Sequence, residues 1–279
     1  AALATITGQI VSALLAVYYL FRPKSFRLKR VSFKPDAEIL KHVLPLGISS
    51  FLTQVSIVVI MAVMNNVLVI YGAGSKYGAD IPMTVVGIVM KVFQIVISVV
   101  VGIAAGAQPI VGYNYGAGLW RRVKLIFRTM MAAEFSVGLV SLICFEVFPV
   151  QIISVFGSED GLYNEFAVLA FRVFLGGIVL CCIQKSCSIF LQSMGKPALS
   201  MLLSLLRDFV LSVPLTLVLP RLFGVTGALY SGPAADVISF GAAVLCMAAV
   251  FRKLNRLEDG EVALYGASQG GLAVERKIC

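Results

Sequence analysis

Charged side chains are scarce in this chain. Only 13% of its 279 residues are Asp, Glu, Lys or Arg, against about 25% in an average soluble domain. Apolar residues make up 59% of the chain, and its mean hydropathy of +0.95 is typical of a protein that crosses a membrane several times. The net charge of +9 is therefore no evidence for nucleic-acid binding, and the position of each charge matters more than the sum.

The six cysteines lack a metal-binding pattern. Five lie inside apolar segments, and the sixth is the final residue. The interval from Cys182 to Cys187 does not match a zinc knuckle. We interpret these cysteines as small buried apolar residues and predict no metal site.

The chain contains long runs of residues without a charged side chain. Seven apolar segments are long enough, or nearly so, to cross the roughly 30 Å hydrocarbon layer of a bilayer. The sequence therefore predicts an all-α fold, a polytopic membrane helix bundle of about seven transmembrane helices. The segments lie near residues 2–21, 43–71, 82–111, 124–148, 162–192, 198–220 and 225–251.

Basic residues are concentrated in alternate loops between these segments. Most lie in 22–41, in 121–128 and after residue 251, whereas the loops on the other side carry only Lys76 and Arg221. Cytoplasmic loops are enriched in Lys and Arg, so the C-terminus is predicted to be cytoplasmic and residue 1 to lie outside. Because the chain starts without Met and inside an apolar segment, we interpret it as a fragment of a longer protein.

Ionisable side chains inside the predicted spans are the main indication of function. A charge at the bilayer centre costs about 2.5–3.5 kcal/mol on insertion scales, and such residues rarely face lipid. We therefore expect them to face a water-filled cavity or one another, and we expect Arg207 and Asp208 to snorkel or to pair. With uncharged polar neighbours, the candidate residues of a substrate or ion pathway are Gln54, Asn65, Lys91, Gln94, Glu134, Lys185, Gln192 and Asp236.

Two of the predicted spans carry a stripe of polar residues on one helical face. We interpret each stripe as the lining of a cavity. The stripes are Lys91, Gln94 and Ser98 in the third span and Lys185, Ser188 and Gln192 in the fifth.

Two acidic residues have alternative roles. Glu134 either neutralises Lys91 or Lys185 across the bundle, or titrates as an unpaired group that faces a cavity. Asp236 either binds backbone groups freed by Pro233 or belongs to the pathway. Both alternatives stay open for each residue.

The third span ends in Gly, Pro, Asn and Tyr residues, from Gln108 to Gly118, and the basic residues Arg121, Arg122 and Lys124 follow. Aromatic rings among headgroups with basic residues beyond them are typical of a cytoplasmic helix end. This segment resembles the motif that ends the eighth helix of MATE transporters (multidrug and toxic compound extrusion). The motif residues are Gln108, Pro109, Gly112, Tyr113, Asn114, Tyr115, Gly116 and Arg122.

Further segments resemble the same family in the same order along the chain: 44–47, 190–197, Arg207 with Pro214, and 224–236. The resemblance covers roughly residues 1–252 and implies how the chain is organised. By it, 1–21 is the last helix of the N-terminal lobe, 22–42 a basic cytoplasmic interlobe loop, 43–251 the six-helix C-terminal lobe, and 252–279 a cytoplasmic tail. The composition predicts that the tail is disordered.

The resemblance implies a secondary transporter and not an enzyme. Family members have two six-helix lobes that rock between outward-open and inward-open states, and they export amphipathic or cationic drugs and toxic metabolites. Inward movement of protons or sodium ions drives export, and no other cofactor is implied. The implied partners are a small-molecule substrate, the lipid bilayer of a bacterial cell membrane and the N-terminal lobe of the same polypeptide, with no nucleic acid.

The coupling ion stays open between proton and sodium. Thr53 and Gln54 stand where some members have an acidic cation ligand in helix seven. The closer resemblance is to the DinF-like bacterial branch, in which proton coupling is ascribed to an acidic residue of helix one. That helix is not in this chain.

Two other functions compete with drug export. One is a flippase for a lipid-linked saccharide from the same superfamily, in which Lys91 and Lys185 could bind phosphate groups. The other is a seven-helix receptor, which only the number of predicted spans suggests.

Overall fold

The computed structural model describes residues 2–21, 36–156 and 161–275. Every regular element in those ranges is a helix, so the all-α prediction is confirmed. The helices are α1 (Ala2–Phe21), α2 (Ala37–Ala73), α3 (Asp80–Gly116), α4 (Trp120–Val147), α5 (Pro149–Ser154), α6 (Gly161–Phe174), α7 (Ile178–Ser193), α8 (Pro197–Leu205), α9 (Ser212–Phe223) and α10 (Val225–Glu275). A π-helical segment, Leu206–Leu211, joins α8 to α9.

Long apolar helices account for most of the predicted spans. Those that are long and apolar enough to cross a membrane are Phe51–Ala73, Asp80–Gly116, Trp120–Val147, Pro197–Phe223 and Val225–Asp259. Helices α6 and α7 together qualify as a further span, although they are bent by 44°. In α1 the apolar stretch, Ile6–Tyr18, is shorter than these spans and is not among them. The described residues thus contain five or six spans, where the sequence predicts about seven.

The C-terminal end of α10 differs from the sequence prediction. The helix continues to Glu275, whereas the composition predicts a disordered tail over 252–279. The residues that directly follow Phe251 include Arg, Lys, Leu and Glu, which are strong helix formers, and no proline interrupts the helix before Glu275. Residues 276–279 lie outside the described residues, and so does 22–35, which is most of the predicted interlobe loop.

The chain divides into two compact units, Ala1–Pro45 and Leu46–Cys279. The first unit contains α1 and the start of α2. Apolar side chains are exposed along much of α1. The second unit contains the rest of α2, the helices that follow it and the apolar core.

The core of the second unit has two apolar clusters. One joins α3 and α6 to the middle of α2 around the fully buried rings of Phe166 and Phe171. The other joins α4, α7 and α10, where the ring centre of Phe127 lies 4.8 Å from that of Phe190 and 4.9 Å from that of Phe251. These aromatic contacts fix the helices that carry the charged residues described below.

The outer surface of the second unit is also apolar. Lipid-facing helices need apolar side chains outside as well as inside, because the bilayer core offers no water to polar groups. Exposed large apolar residues on this surface include Val58, Ile95, Leu125, Val140, Leu202 and Leu245.

Candidate functional site

A cavity of about 460 Å³ lies in the second unit. Its walls come from α2, α3 and α7 and from the stretch that runs from α8 through the π-helical segment into α9, with contributions from α6 and α10. This volume falls within the range of roughly 300–1,000 Å³ that small-molecule sites occupy. The lining mixes apolar residues, which include Met61, Met64, Met90, Phe93 and Met201, with polar ones, which include Gln54, Gln94, Lys185, Gln192, Arg207 and Asp208.

Four ionisable side chains form a connected network at this cavity. Lys185 of α7 donates from Nζ to Asp208 Oδ2 at 2.7 Å. Arg207 donates from Nη1 to Asp208 Oδ1 at 2.6 Å and from Nε to Asp236 Oδ1 at 2.8 Å. The network therefore ties α7, the π-helical segment and α10 together through charge-assisted hydrogen bonds, which are stronger than neutral ones.

The π-helical segment carries the two central members of the network. Arg207 and Asp208 both lie in Leu206–Leu211, and the backbone N–H and side-chain hydroxyl of Ser212 both donate to the Arg207 carbonyl. Pro214 follows and has no N–H to donate to the preceding turn, so regular α-helical bonding cannot run through this point. Short π-helical turns inside α-helices are frequent at functional sites.

Gly177 makes room for the carboxylate of Asp236. A Cβ atom at Gly177 would lie 2.7 Å from Asp236 Oδ2 and 3.2 Å from the Pro233 Cα atom, so a side chain does not fit there. Gly177 is also the residue that precedes α7, at the bend after α6. This close approach accounts for a feature that the sequence reading missed: the fifth predicted span is two helices, not one.

The charges of the network balance. It has two cations, Lys185 and Arg207, and two anions, Asp208 and Asp236. Taking each ion out of water costs several kcal/mol, and this cost is offset only when partners are close and well oriented, as they are here. The basic side chains of the cavity are thus already neutralised by carboxylates of this chain.

A row of polar contacts holds α7 against α8 beside the cavity. The Ser188 hydroxyl donates to the Ser200 carbonyl at 2.8 Å and lies 2.9 Å from the Ser204 hydroxyl. Gln184 donates from Nε2 to the Leu203 carbonyl at 3.0 Å. Such contacts between membrane helices contribute roughly 0.6–2 kcal/mol each and fix the position of Lys185 on α7.

The structure brings together five of the eight pathway candidates. Gln54, Gln94, Lys185 and Gln192 line the cavity, and Asp236 holds the cavity-lining Arg207. The stripe on α7 contributes Ser188 to the lining as well.

Three candidates lie elsewhere. Lys91 and Asn65 are exposed and do not line the cavity. The lining face of α3 runs through Met90, Gln94 and Ile97, and Lys91 lies about 100° around the helix from Met90. Expecting Lys91 and Gln94 to share the cavity was therefore wrong for Lys91.

Glu134 is buried at the contact between α4 and α7. Neither of its carboxyl oxygens has a hydrogen bond of good geometry among the described residues, and the Ser186 hydroxyl lies near the carboxyl. Glu134 does not line the cavity. Of the two alternatives for Glu134, neutralisation of a lysine is not seen in the described residues, because Glu134 forms no ion pair there and Lys185 pairs with Asp208.

The predicted motif covers the C-terminal end of α3, the turn that follows and the start of α4. The Asn114 side chain donates from Nδ2 to the Ile110 carbonyl at 2.8 Å, and the Asn114 carbonyl accepts from the Leu119 N–H at 2.9 Å. Gly118 closes the turn with a φ of 74°, a left-handed conformation that favours glycine. In the part of the chain that the structure describes, none of the motif residues Gln108, Pro109, Gly112, Tyr113, Asn114, Tyr115, Gly116 and Arg122 lines the cavity.

The sequence analysis did not include Arg207 and Asp208 among the pathway candidates. It treated them as a structural pair near a helix end, whereas they lie at the centre of the network and also line the cavity. The available signal was an adjacent Arg and Asp, seven residues before a proline, within an otherwise apolar span. Ionisable residues so placed mark functional sites in membrane proteins.

Comparison with known sequences identifies related proteins. The family model described as MatE matches residues 45–218. The multidrug export protein MepA of Staphylococcus aureus is 23% identical over 249 residues, which are 88% of this chain and 52% of that protein. MepA of Staphylococcus saprophyticus is 26% identical over 246 residues, with the same two coverages of 88% and 52%. The chain thus spans about half the length of the curated relatives it matches.

Solved structures of MATE and MOP superfamily proteins have a similar fold. A crystal structure of MATE in complex with MaL6 has a TM-score of 0.80 at 20% identity, covering 91% of this chain and 56% of that one. An outward-facing multidrug resistance MATE family transporter has a TM-score of 0.78 at 21% identity, with coverages of 91% and 56%. A MOP superfamily transporter from Pyrococcus furiosus has a TM-score of 0.74 at 21% identity, with coverages of 91% and 56%. These likenesses show the fold.

Proposed function

Because the chain belongs to the MatE family, we propose that it forms one lobe of a secondary transporter that exports amphipathic or cationic small molecules, including drugs and toxic metabolites. The relatives named as multidrug export proteins support this proposal. The observation that carries it is the cavity of about 460 Å³, which offers apolar walls and a polar, charge-balanced network in the same space.

The composition of the cavity suits substrates of varied shape. Met61, Met64, Met90 and Met201 line it, and methionine side chains are flexible and polarisable, so they adapt to different apolar bodies. The network beside these residues has no net charge, because two carboxylates balance the two basic groups. Gln54, Gln94 and Gln192 offer amides that both donate and accept hydrogen bonds.

The transport cycle that we propose is alternating access, in which two lobes rock around the substrate site. The second lobe would come from the N-terminal part of the same polypeptide. Residues 1–21 would be its last helix, 22–42 the interlobe loop and 43–251 the C-terminal lobe. A bacterial cell membrane with the C-terminus in the cytoplasm belongs to the same proposal.

Coupling to inward movement of a proton or a sodium ion is part of this proposal. Glu134 supports the proton alternative, because it is a buried carboxyl for which the described residues supply no counter-charge and no hydrogen bond. An isolated charge in such a place is costly, so a change in the packing of α4 against α7 would change its affinity for a proton.

Dye export by cells tests the proposed function. Cells that express the intact protein should accumulate less of at least one amphipathic dye than cells with an empty vector, across a panel of cationic, neutral and anionic dyes. Lys185→Gln should weaken export, whereas Arg172→Gln, which changes an exposed arginine away from the cavity, should not. Equal accumulation of every dye, with the protein present in the membrane, would refute export.

A flippase for a lipid-linked saccharide is the second candidate. Lys185 and Arg207 favour it, because both present N–H groups to the cavity and phosphate accepts hydrogen bonds from such groups. A lipid-linked precursor trapped on one leaflet after loss of the gene would support it over drug export. Membership of the MatE family leaves no support for the receptor alternative.

A further inference from the structure

The N–H groups of the two cations in the network are only partly used. The Lys185 ammonium has three N–H groups, of which Asp208 takes one, and the Arg207 guanidinium has five, of which Asp208 and Asp236 take one each. Both carboxylate oxygens of Asp208 accept from these cations already. Both cations thus keep N–H groups that the network does not use.

The cations are also nearer to the cavity than the anions. The side chains of Lys185 and Arg207 are 15% and 13% exposed, whereas those of Asp208 and Asp236 are only 3% and 4% exposed. Lys185, Arg207 and Asp208 line the cavity, but Asp236 does not. A ligand therefore meets N–H groups first, with the carboxylates behind them.

One face of the Arg207 guanidinium is covered by an aromatic ring. Its Cζ atom lies 5.8 Å from the centre of the Phe93 ring, which lines the same cavity. Stacking of this kind leaves the edge of the guanidinium for hydrogen bonds. Apolar walls that include Met64, Met90 and Met201 lie in the same space, so one ligand can contact both the donors and the apolar surface.

We propose that the substrate of this cavity is an amphipathic organic anion, whose carboxylate or phosphate group accepts hydrogen bonds from Lys185 and Arg207 while its apolar body packs among the methionines. This inference rests on the proposed transport function and specifies its substrate class. An anion accepts hydrogen bonds from the more exposed groups, Lys185 and Arg207, whereas a cation would meet these two positive charges before it reached a carboxylate.

A matched ligand series tests this inference on the purified intact protein in phosphatidylcholine bilayers. The probes are pyrenebutyrate, the neutral pyrenebutanol and the cationic pyrenebutyltrimethylammonium, which share one apolar body. We expect pyrenebutyrate to bind at least about tenfold more tightly than the alcohol, because charge-assisted hydrogen bonds are the stronger kind. Equal binding of the three probes, or tightest binding of the cation, would overturn the inference.

Three variants assign the preference to this site. Lys185→Gln should bring the acid and the alcohol to within about threefold of one another, and Lys185→Arg, which keeps the charge, should preserve the preference. The exposed Lys91→Gln should leave it unchanged, since Lys91 does not line the cavity. If Lys185→Gln prefers the acid as strongly as the natural protein does, the preference does not come from this site. If a variant fails to fold, the measurement on the natural protein still tests the anion preference.

Two further experiments are needed. One identifies where the anion comes from, and the other tells failure of this inference from failure of the export proposal. Adding phosphatidylglycerol to the bilayer should weaken pyrenebutyrate binding by more than the negative surface charge alone accounts for if the anion is a lipid headgroup, and by no more than that if it is a water-borne molecule. Both results support the anion chemistry. Export of cationic dye without any preference for pyrenebutyrate would refute this inference alone, whereas selective pyrenebutyrate binding in a protein that exports no dye would refute only the transport function.

Discussion

Arg207 donates from Nε to Asp236 Oδ1 at 2.8 Å, and this bond joins the π-helical segment to α10 inside the bundle. Both side chains are largely buried. Asp208 is the second anion on the same guanidinium. The position of the cationic groups at the cavity therefore depends on two carboxylates, one next to Arg207 in sequence and one from a distant helix.

Asp236→Asn should destabilise the protein. Removing one partner of a buried ion pair typically costs about 3–5 kcal/mol, and we expect the lower part of that range because Asp208 still neutralises Arg207. The measurement is the free energy of unfolding in detergent, from chemical denaturation. As a control, Glu146→Gln breaks the exposed pair with Arg172 and should cost no more than about 1 kcal/mol. Equal losses in both variants would contradict the role assigned to Asp236.

Gly177→Ala should also lower stability. The added methyl group would lie 2.7 Å from Asp236 Oδ2 and 3.2 Å from the Pro233 Cα atom, so α7 and α10 would have to separate, at a cost of about 1–3 kcal/mol. Gly106→Ala is the matched control, because nothing lies within 4 Å of a Cβ at this position in α3. That control should be neutral or stabilising by up to about 1 kcal/mol. A melting temperature unchanged by Gly177→Ala would show that the bend tolerates a side chain.

The pair of Lys76 and Glu165 gives a pH-dependent prediction. Lys76 lies in the turn between α2 and α3, and its Nζ is 2.7 Å from Glu165 Oε1. The hydrogen bond to Glu165 raises the pKa of Lys76 above its ordinary value of 10.5. Because the folded pKa is the higher one, the stabilisation is complete below pH 10.5 for as long as Glu165 is ionised, and it is lost as pH rises through the folded pKa of Lys76.

The difference in melting temperature between the natural protein and Lys76→Gln measures this effect. It should be small, because both side chains are more than half exposed. It should stay constant from neutral pH to about pH 9 and shrink only at higher pH, in the ordinary range of lysine. A difference that shrinks on acidification to mildly acidic pH instead would show that another group controls the turn.

The sequence was enough to predict the fold class. A charge-free run of spanning length must satisfy its backbone hydrogen bonds inside the bilayer, and a helix does so within a single segment. It did not predict the bend between α6 and α7. The two adjacent glycines at 176 and 177 lie inside an apolar run, and the space that Gly177 leaves is filled by Asp236, about sixty residues later. Long-range contacts of this kind leave no local signal.

The candidate site was predicted only in part, because some of its residues are also identified only by contacts between distant helices. Lys185 and Gln94 were found because ionisable and polar residues in spans are rare and rarely face lipid. Lys91 satisfied the same rule and yet is exposed, since helical spacing defines a face but not what that face contacts. Arg207 and Asp208 became central only when the structure placed Lys185 and Asp236 on either side of them.

Glu134→Met should make the protein more stable. The two carboxyl oxygens are buried without partners, and replacing an unsatisfied buried polar group by an apolar side chain of similar size removes a penalty of about 1–3 kcal/mol. Denaturation in detergent measures this gain. A large loss of stability in Glu134→Met would reveal a partner of the carboxyl outside the described residues.

The same Glu134→Met variant separates a coupling role from a structural one. If Glu134 carries the proton, proteoliposomes with the variant should still bind the exported dye but should no longer move it when a pH gradient is applied. The Lys91→Gln variant, with its exposed side chain outside the cavity, should transport normally in the same assay. Because the substitution is expected to stabilise the fold, loss of transport could not be ascribed to unfolding. Transport at the natural rate would mean that the coupling ion binds elsewhere.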